Sequence, residues 1–498
     1  MSARTLDGDL RAAAARHPER IAVVTPERSL SYGELALAAE RIAAGLRELV
    51  VRPGDRVALV LPNGAELPEA IYGTLRARAA FTPLNQTIKE DKLADVLERC
   101  GAAVVICDAE RAPMVEAAAA RAGTIPVVAD LAALGHARGS PDAGPLDIDL
   151  AAVLYTAGST GEPKGVTVTN RNMTFVADSI IEYLELGPED RILCVLPLSF
   201  GYGLYQLLTC VRCAATLVLE AGFTYPGRVV QALESERITG LAGVPTVFQV
   251  LISLRGLADR ELSHLRFLTN AGAALPAATI AAVRRTFPGA RLYSMYGQTE
   301  CTRVCYLPPE QLDARPTSVG IPIPGTEVWV EDDAGRVAPP GEVGELMVRG
   351  AHVMQGYWGD EEGTAERLRP GRWRWEHVLA TGDLFRQDAE GFLYFVSRRD
   401  DLIKSRGEKV VPREVEEVLH AVPGVREAAV VGVADELLGQ AVHAHVAPES
   451  GQELDPGELR RHCADRLEVH MVPRRIVLHM ALPRTANGKV DRRALVGD

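Results

Sequence analysis

Two apolar periodicities take turns along this chain, and that alternation restricts its fold more than any other feature. Leu35–Leu49 (LALAAERIAAGLREL) carries apolar residues at helical spacing. Arg56–Leu61 (RVALVL) is a short apolar run, as expected of a buried strand. A second helix pattern at Glu66–Arg78 and a second strand pattern at Ala102–Cys107 follow. Helix and strand in succession predict an α/β layer whose strands are largely parallel. Strand patterns near Ala152–Tyr155, Ile192–Leu196, Thr216–Leu219 and Arg266–Thr269 continue the theme over residues 150–395.

Two interruptions organise the chain. Gly135–Asp149 (GHARGSPDAGPLDID) reads as a surface linker. From Thr326 the pattern changes to short β-type runs: TEVWVEDDAGRV, GELMVRG and GFLYFVSR. Beyond Asp400 the tail is mixed, with a helix pattern at Arg413–His420 and a strand pattern at Ala428–Val433. A chain of 498 residues exceeds one ordinary core, so the tail of about a hundred residues is expected to form a second, smaller domain.

Charge and composition exclude several classes. The formal charge is −12, from 66 acidic against 54 basic residues, with no concentrated basic stripe, so nucleic acid is not an expected partner. A small anion such as ATP is still compatible, because single Lys or Arg residues hold it locally. The N-terminus lacks the apolar core of a signal peptide and no stretch reaches the length of a membrane span, so a cytoplasmic protein without a membrane partner is expected. Cys210-Val-Arg-Cys213 has no second pair at zinc spacing and lies in an apolar run, which reads as buried reduced thiols.

Chemistry first shows at residues 152–170, AVLYTAGSTGEPKGVTVTN, where an apolar strand runs into a loop rich in Thr, Ser and Gly. Glycines let backbone wrap an anion, hydroxyls and amides donate to phosphate oxygens, and Lys164 adds a positive charge. Pro163 and Gly165 stand where a Walker A loop needs Gly and Ser/Thr, so this is another kind of phosphate loop. The stretch YTAGSTGEPKG resembles the signature loop of adenylate-forming enzymes: acyl-CoA synthetases, aryl-acid ligases, luciferases and peptide-synthetase adenylation domains. Ala157 stands where relatives often have Ser. The resemblance makes Thr156, Ser159, Thr160, Gly161 and Lys164 ATP-binding.

Further motifs follow in the family's order and extend the resemblance over essentially the whole chain, including the opening LSYGELALAAERIAAGLRELVVRPGDRVALVLPN. SMYGQTE (Ser294–Glu300) is similar to the family's YGxTE element. It implies that Tyr296 stacks on adenine, Thr299 contacts the α-phosphate and Glu300 holds Mg2+. An aromatic face suits a purine and a carboxylate oxygen suits magnesium. Ser294, Gly297, Gly272, Ala273 and Ala274 are implied around the nucleotide. TGDL (Thr381–Leu384) resembles the element whose carboxylate, here Asp383, accepts both ribose hydroxyls. In SRRDDLIKSRGEKVVPREVEEVL (Ser397–Leu419), Ser397 replaces the usual Gly, Arg398 matches the arginine that reaches the ribose, and Asp400 matches the hinge. Lys404 and Lys409 fall where relatives position groups around nucleotide or substrate. NGKVDR (Asn487–Arg492) looks like the catalytic-lysine loop, with Lys489 bridging the substrate carboxylate and the α-phosphate.

The fold implied is α/β. A large N-terminal domain over 1–397 has α/β layers and a small β-barrel-like subdomain; residues 398–401 form a hinge; 402–498 form a small, mobile α+β C-terminal domain with the catalytic lysine. Two half-reactions then need two arrangements of groups around one site, and a small domain on a hinge supplies both.

LPLSFGYGLYQLL (Leu196–Leu208) occupies the place where relatives line the acid pocket. Adenylation domains for α-amino acids carry an Asp after the Phe to pair with the ammonium; this chain has Gly201, and a buried ammonium without a partner is costly. By motif position the pocket takes in Phe200, Gly201, Tyr202, Tyr205, Thr246, Thr269, Ala271, Met295, Arg303 and Val304. Aromatic and small residues favour a flat acid such as a hydroxy- or aminobenzoate, with Arg303 placed to answer a polar substituent. A fatty or short-chain acid, or a β-amino acid loaded on a carrier protein, stays open. So does a non-catalytic acyl-adenylate or nucleotide-binding module, which has no need to keep Lys489. No carrier segment follows residue 498, so the acceptor is expected in trans: coenzyme A, or the phosphopantetheine thiol of a separate acyl or peptidyl carrier protein. A monomer or a homodimer fits equally.

Overall fold

The computed structural model describes residues 4–496 apart from 124–125, 136–143, 158–162, 258, 407, 436, 450 and 486–489. It divides into two compact units, Met1–Val328 with Val348–Ala380, and Trp329–Met347 with Thr381–Asp498. The architecture is α/β.

The first unit is built on two largely parallel sheets. In one, Arg291–Tyr296, Phe267–Asn270, Gly240–Gly243, Arg191–Cys194, Thr216–Leu219 and Ile21–Val24 lie side by side, all parallel. Antiparallel strands cap both edges, Ser29–Ser31 at one and Cys305–Leu307 followed by Ile321–Pro322 at the other. In the other, Val127–Ala129, Val104–Cys107, Arg56–Val60, Ala80–Pro83 and Leu150–Ala157 run parallel. Pro163–Thr169 and Gly356–Tyr357 then add two antiparallel strands. The central strands are apolar because both faces are covered: Val57, Ala58, Leu59, Val104, Val105 and Ile106 are fully buried.

Local chemistry sets boundaries that periodicity misses. The first long helix starts at Tyr32, not Leu35, because Ser31 and Glu34 form a reciprocal capping box. That helix packs closely on Glu66–Arg76 at Gly73, where a Cβ would come within 2.4 Å of Ile42 Cγ2. Residues 136–143 of the expected linker lie outside the described residues; beyond them Asp149 pairs with Arg78 at 2.9 Å. Parallel order also brings the C-terminal strand ends at Asn270 and Tyr296 to one edge with the Gly201–Cys213 helix N-terminus, the usual place for a ligand site in such sheets.

The β-type runs after Thr326 fall in a five-stranded sheet of Glu327–Glu331, Val343–Arg349, His377–Gln387 and Leu368–Pro370, with Leu393–Arg398 on the third of these. In the second unit Val425–Asp435 and Gly439–Pro448 form a long antiparallel pair, joined by Ile403–Ser405 and Arg475–Leu478. Helix Pro412–His420 supplies Val415 and Leu419 to a core shared with Val430, Val442, Leu459 and Cys463. The strand expected at Ala428–Val433 is thus longer at both ends.

Candidate active site

The expected phosphate loop joins two paired strands. Leu150–Ala157 and Pro163–Thr169 pair antiparallel, with Tyr155 opposite Gly165 and Thr156 opposite Lys164. A strand, not a helix, follows the loop, which separates it physically from a Walker A motif. Ser159, Thr160 and Gly161 lie outside the described residues. Gly165 lets the strands close, since a Cβ there would meet Val153 Cγ1 at 2.9 Å. Lys164 Nζ stands 3.6 Å from Asp360 Oδ2 and 4.9 Å from the Tyr357 ring centroid.

Strand Arg291–Tyr296 delivers the next group. Ser294 and Met295 are buried, while Tyr296, Gly297, Thr299 and Glu300 are half-buried. Gly297 is required by close packing: a Cβ would lie 2.1 Å from the Thr302 carbonyl oxygen. Val304 N donates to Tyr296 O at 2.9 Å and Thr302 takes a left-handed φ of 60°, so the chain doubles back tightly. The phenol of Tyr357 donates to Glu300 Oε1 at 2.7 Å, and burial followed by the Glu300 charge holds that phenol far above its ordinary pKa. After strand Phe267–Asn270, Asn270 Nδ2 donates to Ala273 O at 2.9 Å, Gly272 takes φ 89°, and Ala273 and Ala274 are exposed.

Magnesium and ATP can be tested against these groups. Among the described residues no cluster of three His, Cys, Asp or Glu could hold a metal alone. A single half-buried carboxylate at Glu300 fits a magnesium that keeps most of its shell for water and substrate phosphates.

The residues expected to line the acid pocket fall into three sets. Tyr202, Thr269, Met295 and Arg303 form one buried cluster. Tyr202 Oη donates to Thr269 O at 2.7 Å, and Arg303 lies 5.1 Å from the Tyr202 ring centroid. Tyr183, absent from the sequence-based expectation, donates to Met295 Sδ at 3.2 Å. Phe200 sits edge-on to Tyr202 at 6.3 Å, and a Cβ on Gly201 would meet only open space. Thr246 is half-buried on helix Pro245–Ser253, and Ala271 is buried just past its strand. Tyr205 and Val304 sit deep in the core, at 1% and 0% exposure.

In the second unit Asp383 and Arg398 face each other across antiparallel strands, Arg398 Nε 3.7 Å from Asp383 Oδ1. TGDL is therefore inside an eleven-residue strand, His377–Gln387, and not the turn its Gly suggests. Gly382 takes φ 70° there, and its amide donates to Glu345 Oε1 at 2.8 Å. Ser397 Oγ donates to the Arg398 carbonyl at 2.9 Å, a use for the hydroxyl that a glycine lacks. Asp400, Lys404 and Lys409 are exposed, and Lys409 Nζ lies 3.6 Å from Asp333 Oδ2. Lys489 lies outside the described residues. Flanking it, Arg484 bridges Val490, and Arg492 pairs with Glu416 at 2.7 Å.

Parallel strands that end on hydroxyl, aromatic and carboxylate groups beside a lysine-bearing hairpin suit a ligase that handles a nucleoside triphosphate. Residues 10–358 match the AMP-binding enzyme family and residues 414–489 the AMP-binding enzyme C-terminal domain. A feruloyl-CoA synthase of Amycolatopsis sp is 36% identical over 95% of this chain and 94% of its own. An L-proline–[L-prolyl-carrier protein] ligase of Streptomyces coelicolor is 32% identical over 97% and 94%. The o-succinylbenzoate coenzyme A synthetase of Bacillus subtilis, solved with ATP and magnesium ion, superposes with TM-score 0.88 at 30% identity, covering 98% of this chain and 99% of that one. The chain belongs to the AMP-binding enzyme family. It is an AMP-forming acid–thiol ligase that uses ATP and Mg2+.

Proposed function

We propose that this ligase activates a small aromatic carboxylic acid of the hydroxy- or aminobenzoate class and passes it to the thiol of coenzyme A or of a carrier protein. The observation that carries the reading is the open space at Gly201, where an amino-acid pocket needs a carboxylate, next to the aromatic faces of Phe200 and Tyr202. The aromatic acids in the names of two relatives, feruloyl and o-succinylbenzoate, support it.

In this reading a carboxylate oxygen attacks the α-phosphorus of ATP, and pyrophosphate leaves with its electron pair. Thr156, Lys164 and the intervening loop hold phosphates, Tyr296 supports adenine, Thr299 holds the α-phosphate, and Asp383 and Arg398 hold the ribose. Glu300 would hold magnesium, which when bound offsets charge on the departing pyrophosphate. Lys489 brings two anions together and stabilises charge as it builds on phosphorus oxygens. Residues 402–498 then turn at Asp400, within the 398–401 hinge, relative to 1–397. The thiol, losing its proton to solvent, attacks the acyl carbon and AMP leaves.

ATP–pyrophosphate exchange across an acid panel tests this. Exchange should depend on an aromatic acid and fall about 100-fold or more in Lys489→Ala. Strongest exchange with an α-amino acid would sink the aromatic reading, and nucleotide binding without any exchange would sink catalysis. Product analysis with coenzyme A and a phosphopantetheinylated carrier then assigns the acceptor.

A further inference from the structure

Among the described residues, the buried guanidinium groups of Arg76 and Arg212 are paired with carboxylates and that of Arg303 is not. Arg76 reaches Asp7 at 3.4 Å, and Arg212 is held by Asp9 at 2.7 Å and Asp178 at 2.5 Å. Arg303 is 2% exposed, its Nε has no hydrogen-bond partner, and among the described residues no carboxylate lies within ion-pair distance. Its neighbours are phenols: the Tyr202 ring at 5.1 Å, with Tyr183 and Tyr205 near enough to feel its charge. Burial raises the pKa of all three phenols, so they stay neutral and cannot act as counter-ions. Arginine cannot shed its proton to escape the cost of burial, as a lysine would. An uncompensated buried cation of this kind costs stability until something else brings the negative charge.

Its position says what brings it. Arg303 follows the turn that carries Thr299 and Glu300, and that turn is held by the left-handed Thr302 and the Val304–Tyr296 hydrogen bond. The same cluster contains Thr269, Met295 and Tyr202, and Tyr202 belongs to the helix that starts at the open Gly201. We propose that Arg303 is a specificity-determining residue that binds a second anionic group of the acid, so that the substrate is a dicarboxylate activated at only one of its two carboxylates. The guanidinium fork matches a carboxylate with two parallel hydrogen bonds, which neither a ring hydroxyl nor an amine can accept. The inference rests on the proposed aromatic-acid pocket and narrows the substituent on the ring from polar to acidic.

The test is ATP–pyrophosphate exchange by the full chain with benzoate, 4-hydroxybenzoate, 4-aminobenzoate, the three benzenedicarboxylates, and succinate and glutarate as aliphatic diacids. One benzenedicarboxylate should exceed benzoate in kcat/KM by at least about 100-fold. Arg303→Met should lose that preference, chiefly through KM, so that its kcat/KM for the diacid falls to within a few-fold of its own value for benzoate. Arg303→Lys should recover part of it, about tenfold short of the parent, because an ammonium lacks the fork. Thermal melting without ATP supplies a readout apart from turnover. The preferred diacid should raise the Tm of the parent and not of Arg303→Met, whose own Tm should equal or exceed the parent's. An aliphatic diacid as best substrate, with the same Arg303 dependence, would support the arginine's role and overturn the aromatic pocket. Equal use of mono- and diacids, or an Arg303→Met variant that lowers every acid alike, would overturn the inference while leaving acid activation intact. No exchange with any acid, and no Tm shift with any diacid, would overturn both.

Discussion

The Tyr357 phenol donates a 2.7 Å hydrogen bond to Glu300 Oε1 and so fixes the carboxylate proposed to hold magnesium. Tyr357 itself is held by strand pairing to Val166, in the second strand of the 150–169 hairpin, with Lys164 over its ring. A ligand carboxylate that is oriented in this way binds its metal better than one left to rotate. Tyr357→Phe keeps the ring and the strand, and removes one bond to a charged acceptor. We expect the Mg2+ concentration for half-maximal exchange to rise about tenfold, with stability lowered by about 1 kcal/mol. Titration of magnesium at saturating ATP reads the effect; an unchanged midpoint would detach Tyr357 from the metal site.

His352 makes stability sensitive to acid. It is buried, stacked on Phe175 at 5.3 Å, and neither ring nitrogen has a hydrogen-bond partner among the described residues. Burial pushes its pKa down to about 4. Between about 4 and the ordinary value near 6.5 the unfolded chain takes up a proton that the native one refuses. Stability from this group is therefore present at neutral pH and lost as pH falls through that window. Going from pH 7 to pH 5 should cost the parent on the order of 2 kcal/mol more than His352→Phe, which keeps the stack and cannot titrate. Urea melts of both proteins at the two pH values decide it, and parallel curves would refute the assignment.

Much of this was legible in the sequence, and the gaps have physical reasons. Parallel strands such as Val104–Cys107 announce themselves because burial on both faces forces an apolar run. The motif carriers Thr156, Tyr296, Glu300 and Asp383 could be placed in order along the chain. What periodicity cannot show is long-range pairing. Tyr357 lies 57 residues from Glu300, and its Gly-Tyr-Trp surroundings have no helical or strand period. The helix start at Tyr32 was hidden for another reason, since a capping box is a polar signal ahead of the apolar one. Arg303 was legible only as a candidate pocket residue; that its charge has no carboxylate partner among the described residues needed the three-dimensional neighbours.

The paired cysteines carry a negative prediction. Cys210 is buried and Cys213 half-buried on one helix, and burial pushes the Cys213 thiol up to about 11 and that of Cys210 well above its usual value. Thiolate is the reactive and metal-binding form, so neither residue should react readily at pH 8. A disulfide-based thiol probe should label the native protein slowly at both positions, and a chelator should leave Tm unchanged. Fast labelling at Cys210, or a lower Tm on chelation, would restore a redox or zinc role to this pair.

Two glycines in the candidate site should answer the same substitution in opposite ways. A Cβ on Gly297 would sit 2.1 Å from the Thr302 carbonyl oxygen, which is backbone and cannot move aside alone. Gly297→Ala should destabilise the protein by about 3 kcal/mol and disturb the turn that carries Thr299 and Glu300. Gly201 has nothing within 4 Å of the added carbon, and it opens a helix, where alanine is the better former. Gly201→Ala should keep or slightly raise Tm, by up to about 1 kcal/mol of stability. Its kcat/KM for the preferred acid should nevertheless fall at least about tenfold, because the methyl group fills space meant for the ring. Melting curves and exchange kinetics on the two variants separate packing from recognition. A Gly201→Ala enzyme with parental kinetics would place the acid elsewhere.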